Sequence, residues 1–417
     1  MQKKLFTQIK NEWRSNLWLA LELLVVSVVM WYITDLLYCR IATYLEPRGF
    51  DTSHCYLLTM RPLTDDSPEY RPYASDEEVR DDILELVERL RRRPGVEAVS
   101  LSQNSYPYNG SNGNDRISYD TLVSPDAIRR LVTPDFMRVF RYQGARGETP
   151  EQLAEALERG EFLASENLYL NQGFDVKQLA GKDGFHLFGD TVMSFRLGAV
   201  LQDVRYCDYE EGRFCYSFAY NLERLGARYI NMSSELCVRV TPQEDHDFIA
   251  RLKADSESQL RVGNIYLSDV RSFADIRRSF QQGYSNQLRN YVVGMGFLML
   301  NIFLGLLGTF WFRTQQRRSE IALHKVHGAT SRAVFGRLLG EGLLLLLMVT
   351  PFALAVDYFL ASAELNAWRG GTTLEPGRLL ACAAASFVLI ALMIAIGICI
   401  PARKAMRVQP AEALHDE

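Results

Sequence analysis

The sequence predicts an α-helical membrane domain of four spans joined to an α+β extracytoplasmic domain. Three observations predict it. Apolar residues gather into four runs, basic residues collect on one side of those runs, and the long polar stretch after the first run twice reads strand, helix, strand.

With 417 residues the chain has room for two or three domains. Its mean hydropathy, −0.09, is that of a soluble protein, but the average hides the segregation. Residues 17–39, 291–312, 338–360 and 379–400 are each predominantly apolar. A helix needs roughly 20 such residues to cross ~30 Å of hydrocarbon. The first run is too long for the apolar region of a signal peptide, and the bulky Leu36, Leu37 and Tyr38 stand where cleavage or lipid attachment at Cys39 needs small residues. It reads as a retained anchor.

The net charge of −4 carries little information; the placement of cations carries more. Lys3, Lys4, Lys10 and Arg14 precede the first run. Arg313, Arg317, Arg318, Lys325, Arg332 and Arg337 lie between the second and third, and Arg403, Lys404 and Arg407 follow the fourth, whereas residues 361–377 hold only Arg369. The positive-inside rule then makes residues 1–16, 313–337 and 401–417 cytoplasmic, and puts residues 40–290 and the short loop 361–378 outside. Leu5, Ile9 and Trp13 at helical spacing among basic residues suit an amphipathic helix along the inner membrane surface, or an extension of the first span. No nucleic-acid partner is expected.

In the external stretch, residues 54–60 read as a strand. Ser75-Asp76-Glu77-Glu78 reads as a capping box, and Val79, Ile83, Leu86, Val87 and Leu90 recur on one helix face until Pro94-Gly95. Residues 96–101 follow as a second strand. Residues 235–240, a cap at Thr241-Pro242-Gln243-Glu244, an apolar face of Phe248, Ile249 and Leu252, and residues 262–267 repeat the pattern. Two such units pair into one ferredoxin-like or porter-like sheet. Between them, residues 117–123, 191–205 and 214–220 read as extended, and 134–140 and 151–158 as helical, with Thr149-Pro150-Glu151-Gln152 repeating the cap. This is an inserted, mostly β subdomain. Residues 272–287 are polar and helical, a stalk running into the second span.

Within the spans, Gly294, Gly296, Gly305 and Gly308 permit close helix approach, in one bundle or between copies. Pro351 predicts a kink. Of seven cysteines, Cys55, Cys207, Cys215 and Cys237 fall outside, where disulfides form. Four cysteines allow three connectivities, and Cys207 with Cys215 is the first pair to test. His54, His186 and His246 are scattered, and no G-x-x-x-x-G-K-[ST], HExxH or G-x-S-x-G pattern is present. The chain is not expected to be an enzyme, to hydrolyse ATP, or to hold a metal or cofactor.

The segment from Arg317 to Glu341 resembles the signature of the FtsX-like, MacB-type ABC transporter permeases, the type VII or mechanotransmission superfamily. There an Arg-x-x-Glu-Ile-x-hydrophobic-basic-x-hydrophobic-Gly-Ala segment precedes a third span that begins with Glu. Arg317, Glu320, Ile321, Ala322, Leu323, Lys325, Gly328, Ala329 and Glu341 occupy those places, with Arg318 beside them. Pro401, Ala402, Ala405, Pro410, Ala411, Leu414 and Glu417 match a second feature in the tail. His324 and His327 depart from the pattern, and two ligands are too few for a metal site.

The resemblance implies an FtsX-like permease domain over residues 291–410 and a MacB-type periplasmic domain with its stalk over 40–290. It implies a permease in a bacterial plasma membrane, both termini cytoplasmic, driven by a separate ABC ATPase that binds ATP and Mg. It further implies a homodimer or paired permease, with an adaptor or outer-membrane component as further partners. The 313–337 loop would form a coupling helix docked on the ATPase through Arg317, Arg318, Glu320, Ile321, Ala322, Leu323, Lys325, Gly328 and Ala329. Glu341, in the first turn of the third span, would complement the helix dipole or pair with a loop arginine. The work would be export or extraction of a peptide, lipoprotein or hydrophobic compound. The alternative is a transmembrane signal transmitter that regulates a cell-wall hydrolase or senses a peptide.

Overall fold

The computed structural model describes residues 13–187, 194–210, 212, 214–219, 230–256, 259–316, 323, 329–363 and 376–407. The chain divides into two compact units, Met1–Tyr44 with Ser285–Glu417, and Leu45–Tyr284. In chain order the first elements are α1 (Trp13–Leu45), β1 (Cys55–Pro62), α2 (Asp76–Arg91), β2 (Val96–Gln103), β3 (Gly113–Asp115), β4 (Ser118–Tyr119), β5 (Leu122–Val123) and β6 (Ala127–Val132). Then come α3 (Asp135–Val139), α4 (Pro150–Glu158), β7 (Phe162–Ser165), β8 (Asp183–Phe185), β9 (Phe195–Leu201) and β10 (Tyr216–Ala219). β11 (Glu235–Val240), α5 (Phe248–Asp255), β12 (Ile265–Ser272), α6 (Phe273–Phe280), α7 (Gln282–Gln316), α8 (Ser331–Ser362) and α9 (Pro376–Arg407) complete the chain.

In the α/β unit, strands β12-β1-β11-β2 lie side by side, each antiparallel to its neighbour. The units β1-α2-β2 and β11-α5-β12 therefore interleave, which is the ferredoxin-like arrangement expected from the two sequence repeats. Successive side chains of β1 point to opposite faces. Tyr56, Leu58 and Met60 enter a core with Ile83, Leu86 and Leu90 of α2 and Phe248 and Leu252 of α5. Cys55 and Leu57 enter the opposite core with Phe136 and Met137 of α3, Leu153 and Leu157 of α4, and Phe273 of α6. Helices on both faces explain why Cys55 to Met60 is an unbroken apolar run apart from Thr59.

Apart from the two-stranded β4-β5 hairpin, the insert does not build a sheet of its own. It prolongs the same sheet past β2 in the order β6-β10-β7-β9-β8, mixing parallel and antiparallel neighbours. A third core of Phe162, Tyr169, Val176, Phe185 and Leu197 fills that end. Three local expectations change. Residues 117–123 make the β4-β5 hairpin, turning where Asp120 takes φ 51°, rather than one strand. Helix α5 starts at Phe248, because the Tyr56 hydroxyl donates to Asp245 at 2.6 Å and His54 lies 3.0 Å from the same carboxylate, holding the preceding turns. Ser75 makes no side-chain cap bond, and Glu78 accepts from the Ala74 amide at 2.9 Å instead of that of Ser75, so the expected box does not form.

Cys55, Cys207, Cys215 and Cys237 are buried free thiols, so Cys207 and Cys215 are not bridged. Burial pushes the thiols of Cys55 and Cys207 up to about 12 and that of Cys215 to about 11.

In the other unit, four helices among the described residues are long and apolar enough to cross a membrane: Leu17–Leu45, Gln282–Gln316, Arg332–Ser362 and Pro376–Cys399. They run past the apolar stretches because polar flanks continue each helix beyond the hydrocarbon. Leu19, Leu23, Leu306, Phe310, Leu345, Ile390 and Ile394 form their common core. A Cβ at Gly294, Gly296, Gly305 or Gly308 would meet open space within this chain. Close approach instead falls at Gly342, where a Cβ would lie 2.9 Å from Ile394 Cγ2 and 3.4 Å from the Phe310 ring. Pro351 lies inside α8.

The candidate coupling junction

Among the described residues, the α7–α8 junction holds a helix cap and an ion pair. Thr330 Oγ1 accepts from the Ala333 amide at 3.2 Å and starts α8 in its preferred N-cap role. Ala329, partly buried, packs with Val334 and Leu338 across that start. Helix α8 then runs ten residues from Ser331 to Glu341, nearly three turns. Glu341 is therefore too deep to interact with the helix terminus, which corrects the dipole reading. Its carboxylate lies 3.7 Å from Arg313 Nη2, with side-chain exposures of 7% and 15%. A space of about 20 Å³ lined by Phe310, Arg313, Thr314, Leu338, Glu341, Gly342 and Ile398 adjoins the pair.

Thr309 lies one turn before Arg313 on α7. Its hydroxyl is 3.1 and 3.2 Å from the two carboxylate oxygens of Glu22 on α1. One turn of α7 thus holds α1 through Thr309 and α8 through Arg313, directly before the loop that joins α7 to α8. Of the expected coupling residues, Leu323 is helical and half exposed, Ala329 packs on α8, and Glu341 is buried. Arg317, Arg318, Glu320, Ile321, Ala322, Lys325 and Gly328 lie outside the described residues, as do His324 and His327.

Several intramembrane polar residues escaped the sequence reading. Arg378 at the start of α9 donates to Asp35 of α1 through Nε at 2.6 Å and Nη2 at 2.7 Å. Thr34 and Ser386 share a hydrogen bond of 2.8 Å between the same helices. Asp357 on α8 is 3% exposed, with no hydrogen bond at Oδ1. The signal was present: Glu22, Asp35 and Asp357 are acids inside apolar runs, and ionisable residues there are rare enough to demand a partner. Among the described residues, no cluster of histidine, cysteine or carboxylate side chains is arranged to hold a metal.

Residues 292–410, which take in α8, α9 and nearly all of the apolar part of α7, match the family model for the FtsX-like permease C-terminal domain. The chain carries an FtsX-like permease domain. The resemblance drawn from Arg317 to Glu341 is borne out over these residues. The match, together with four helices long and apolar enough to cross a membrane, supports a multi-pass permease component of an ABC transporter. No curated protein matches the chain. A looser likeness joins the chain to the periplasmic region of MacB from Actinobacillus actinomycetemcomitans. The two are 12% identical, over 57% of this chain and 97% of that one, with a TM-score of 0.31.

Proposed function

We propose that this permease couples ATP hydrolysis by a separate ATPase to movement of its α/β domain, for export or extraction of a peptide, lipoprotein or hydrophobic compound. The carrying observation is the Arg313–Glu341 pair at the root of the α7–α8 loop, within the FtsX-like domain. The basic residues of that loop and of both terminal tails support a cytoplasmic position for all three, and an external position for the α/β domain. The ATPase would dock on the loop, with Ile321, Ala322 and Leu323 as the apolar contact and Arg317, Arg318, Glu320 and Lys325 fixing its orientation, while Gly328 and Ala329 end the docked segment. Movement of the loop would reach α7 and α8 together, because Arg313 and Glu341 tie their ends. Two copies, each with an ATPase, would make the working unit.

Co-purification of the full chain with the candidate ATPase tests this reading. Wild type is expected to retain the ATPase, and the double variant Ile321→Glu, Leu323→Glu to lose it. Binding and stimulated hydrolysis that survive the double substitution would place the docking surface elsewhere.

A further inference from the structure

The segment between β9 and β10 has no regular structure where it is described, yet two of its charged side chains are almost fully buried: Arg205 at 3% and Asp208 at 1% exposure. Charged side chains are so buried only when paired. Arg205 donates to the carbonyls of Glu46 at 2.8 Å, Asp208 at 2.6 Å and Glu210 at 3.0 Å, and its backbone amide donates to the carbonyl of Arg48 at 3.1 Å. The Asp208 carboxylate accepts from Arg277 Nε at 2.6 Å and from the Tyr108 hydroxyl at 3.1 Å, and Arg48 Nε lies 3.7 Å away.

Apart from Tyr108 and the loop's own carbonyls, those partners come from two places in the chain. Glu46 and Arg48 directly follow α1, and Arg277 sits in α6, which leads into α7. Aromatic contacts repeat the connection: Tyr206 meets Phe280 edge-on at 5.4 Å, and Tyr209 stacks on Tyr284 at 6.2 Å and 4°. Gly49, at φ 81°, passes so near Asp203 that a Cβ would lie 2.4 Å from its carbonyl oxygen. Only glycine permits that approach.

We infer that Arg205 and Asp208 form a clasp that joins the chain leaving α1 to the chain approaching α7, so that both membrane connections load the α/β domain at one point. Stability alone is a poor account of the network, because buried ion pairs stabilise no better than well-packed apolar groups. Arg205 orders its own loop through the carbonyls of Asp208 and Glu210, but it also reaches Glu46, and the Asp208 carboxylate takes its shortest bond from Arg277, so the network extends past the loop to both chain segments. The inference rests on the proposed movement of the domain, but the clasp is measurable without any ATPase.

Hydrogen exchange on the full chain in phospholipid nanodiscs tests it. Asp208→Asn is expected to raise exchange about tenfold in both 46–51 and 273–284, leaving β1 and β11 protected. Arg277→Gln should loosen only 273–284, and Arg48→Gln only 46–51. A change in one segment alone with Asp208→Asn, no change in either, or a change spread through β1 and β11 would overturn the clasp. Once the ATPase is in hand, Asp208→Asn should keep it bound yet lose the ATP-dependent change in exchange of the α/β domain. If wild type shows no such change, the proposed function fails while the clasp stands; if Asp208→Asn responds like wild type, the clasp has no part in coupling.

Discussion

Asp35 and Arg378 lie far apart in the sequence and meet between α1 and α9 through two hydrogen bonds, with side-chain exposures of 1% and 5%. Removing one partner of such a pair leaves the other charge buried, at a cost of about 3–5 kcal/mol. Asp35→Leu or Arg378→Leu alone should therefore lower the thermal midpoint of the purified protein strongly. The double variant should recover most of the loss, because two apolar groups replace two desolvated ones. Equal losses in all three variants would show that the pair contributes geometry rather than charge compensation. The cysteines of the α/β unit give a second test at this scale. Unfolded thiols ionise near 9, while Cys55 and Cys207 hold their protons up to about 12. The folded state thus binds more protons in that interval, and stability falls as the pH rises through it. At pH 8 the thiolate fraction is lower by about a thousandfold, so alkylation of these two thiols should wait for denaturant. Prompt labelling of the native protein would contradict their burial.

Helix caps show how far a local pattern reaches. Thr149 and Gln152 form a complete box on α4: the Gln152 amide donates to Thr149 Oγ1 and the Thr149 amide to Gln152 Oε1. Ser75 heads an equally good pattern on α2 and makes no side-chain bond. Thr149→Ala should thus cost about 1 kcal/mol of denaturant stability and Ser75→Ala close to nothing. A loss of equal size at both would mean that Ser75 caps α2 in solution. The two patterns look alike in sequence; tertiary contacts decide between them. The same division runs through the fold. The four membrane helices were legible because length and apolarity alone select them. The interleaved β1, β2, β11 and β12 were legible because each pair brackets a helix with one apolar face. The order β6-β10-β7-β9-β8 was not, since short strands buried on both faces carry no periodicity to fix a neighbour. The glycines of α7 could not be placed from sequence, because open space and close contact admit the same small residue; within this chain they meet open space, and the crowded position is Gly342, against Ile394 and Phe310.

Across the whole molecule, the junction at Arg313 and Glu341 and the proposed docking loop make separable predictions. The family signature pointed to Glu341, but not to its partner, because Arg313 belongs to α7 and meets Glu341 only when α7 and α8 pack. If the loop binds the ATPase and the buried pair ties the helix ends, loop and pair should fail differently. Charged substitutions at Ile321 and Leu323 should abolish binding. Glu341→Gln should leave binding intact and sever the response, since the ATPase then moves a loop no longer tied by charge to α7. The measurement is ATP-dependent change in hydrogen exchange of the α/β domain, made alongside ATPase retention on the same preparation. A double-mutant cycle over Arg313→Gln and Glu341→Gln separates coupling from simple loss of stability. Two members of one ion pair should give a double variant little worse than either single one, with an interaction energy of roughly 0.5–3 kcal/mol in unfolding. Additive losses, or a Glu341→Gln protein that still moves its α/β domain on ATP, would remove the pair from the path of force and leave the loop as anchor only.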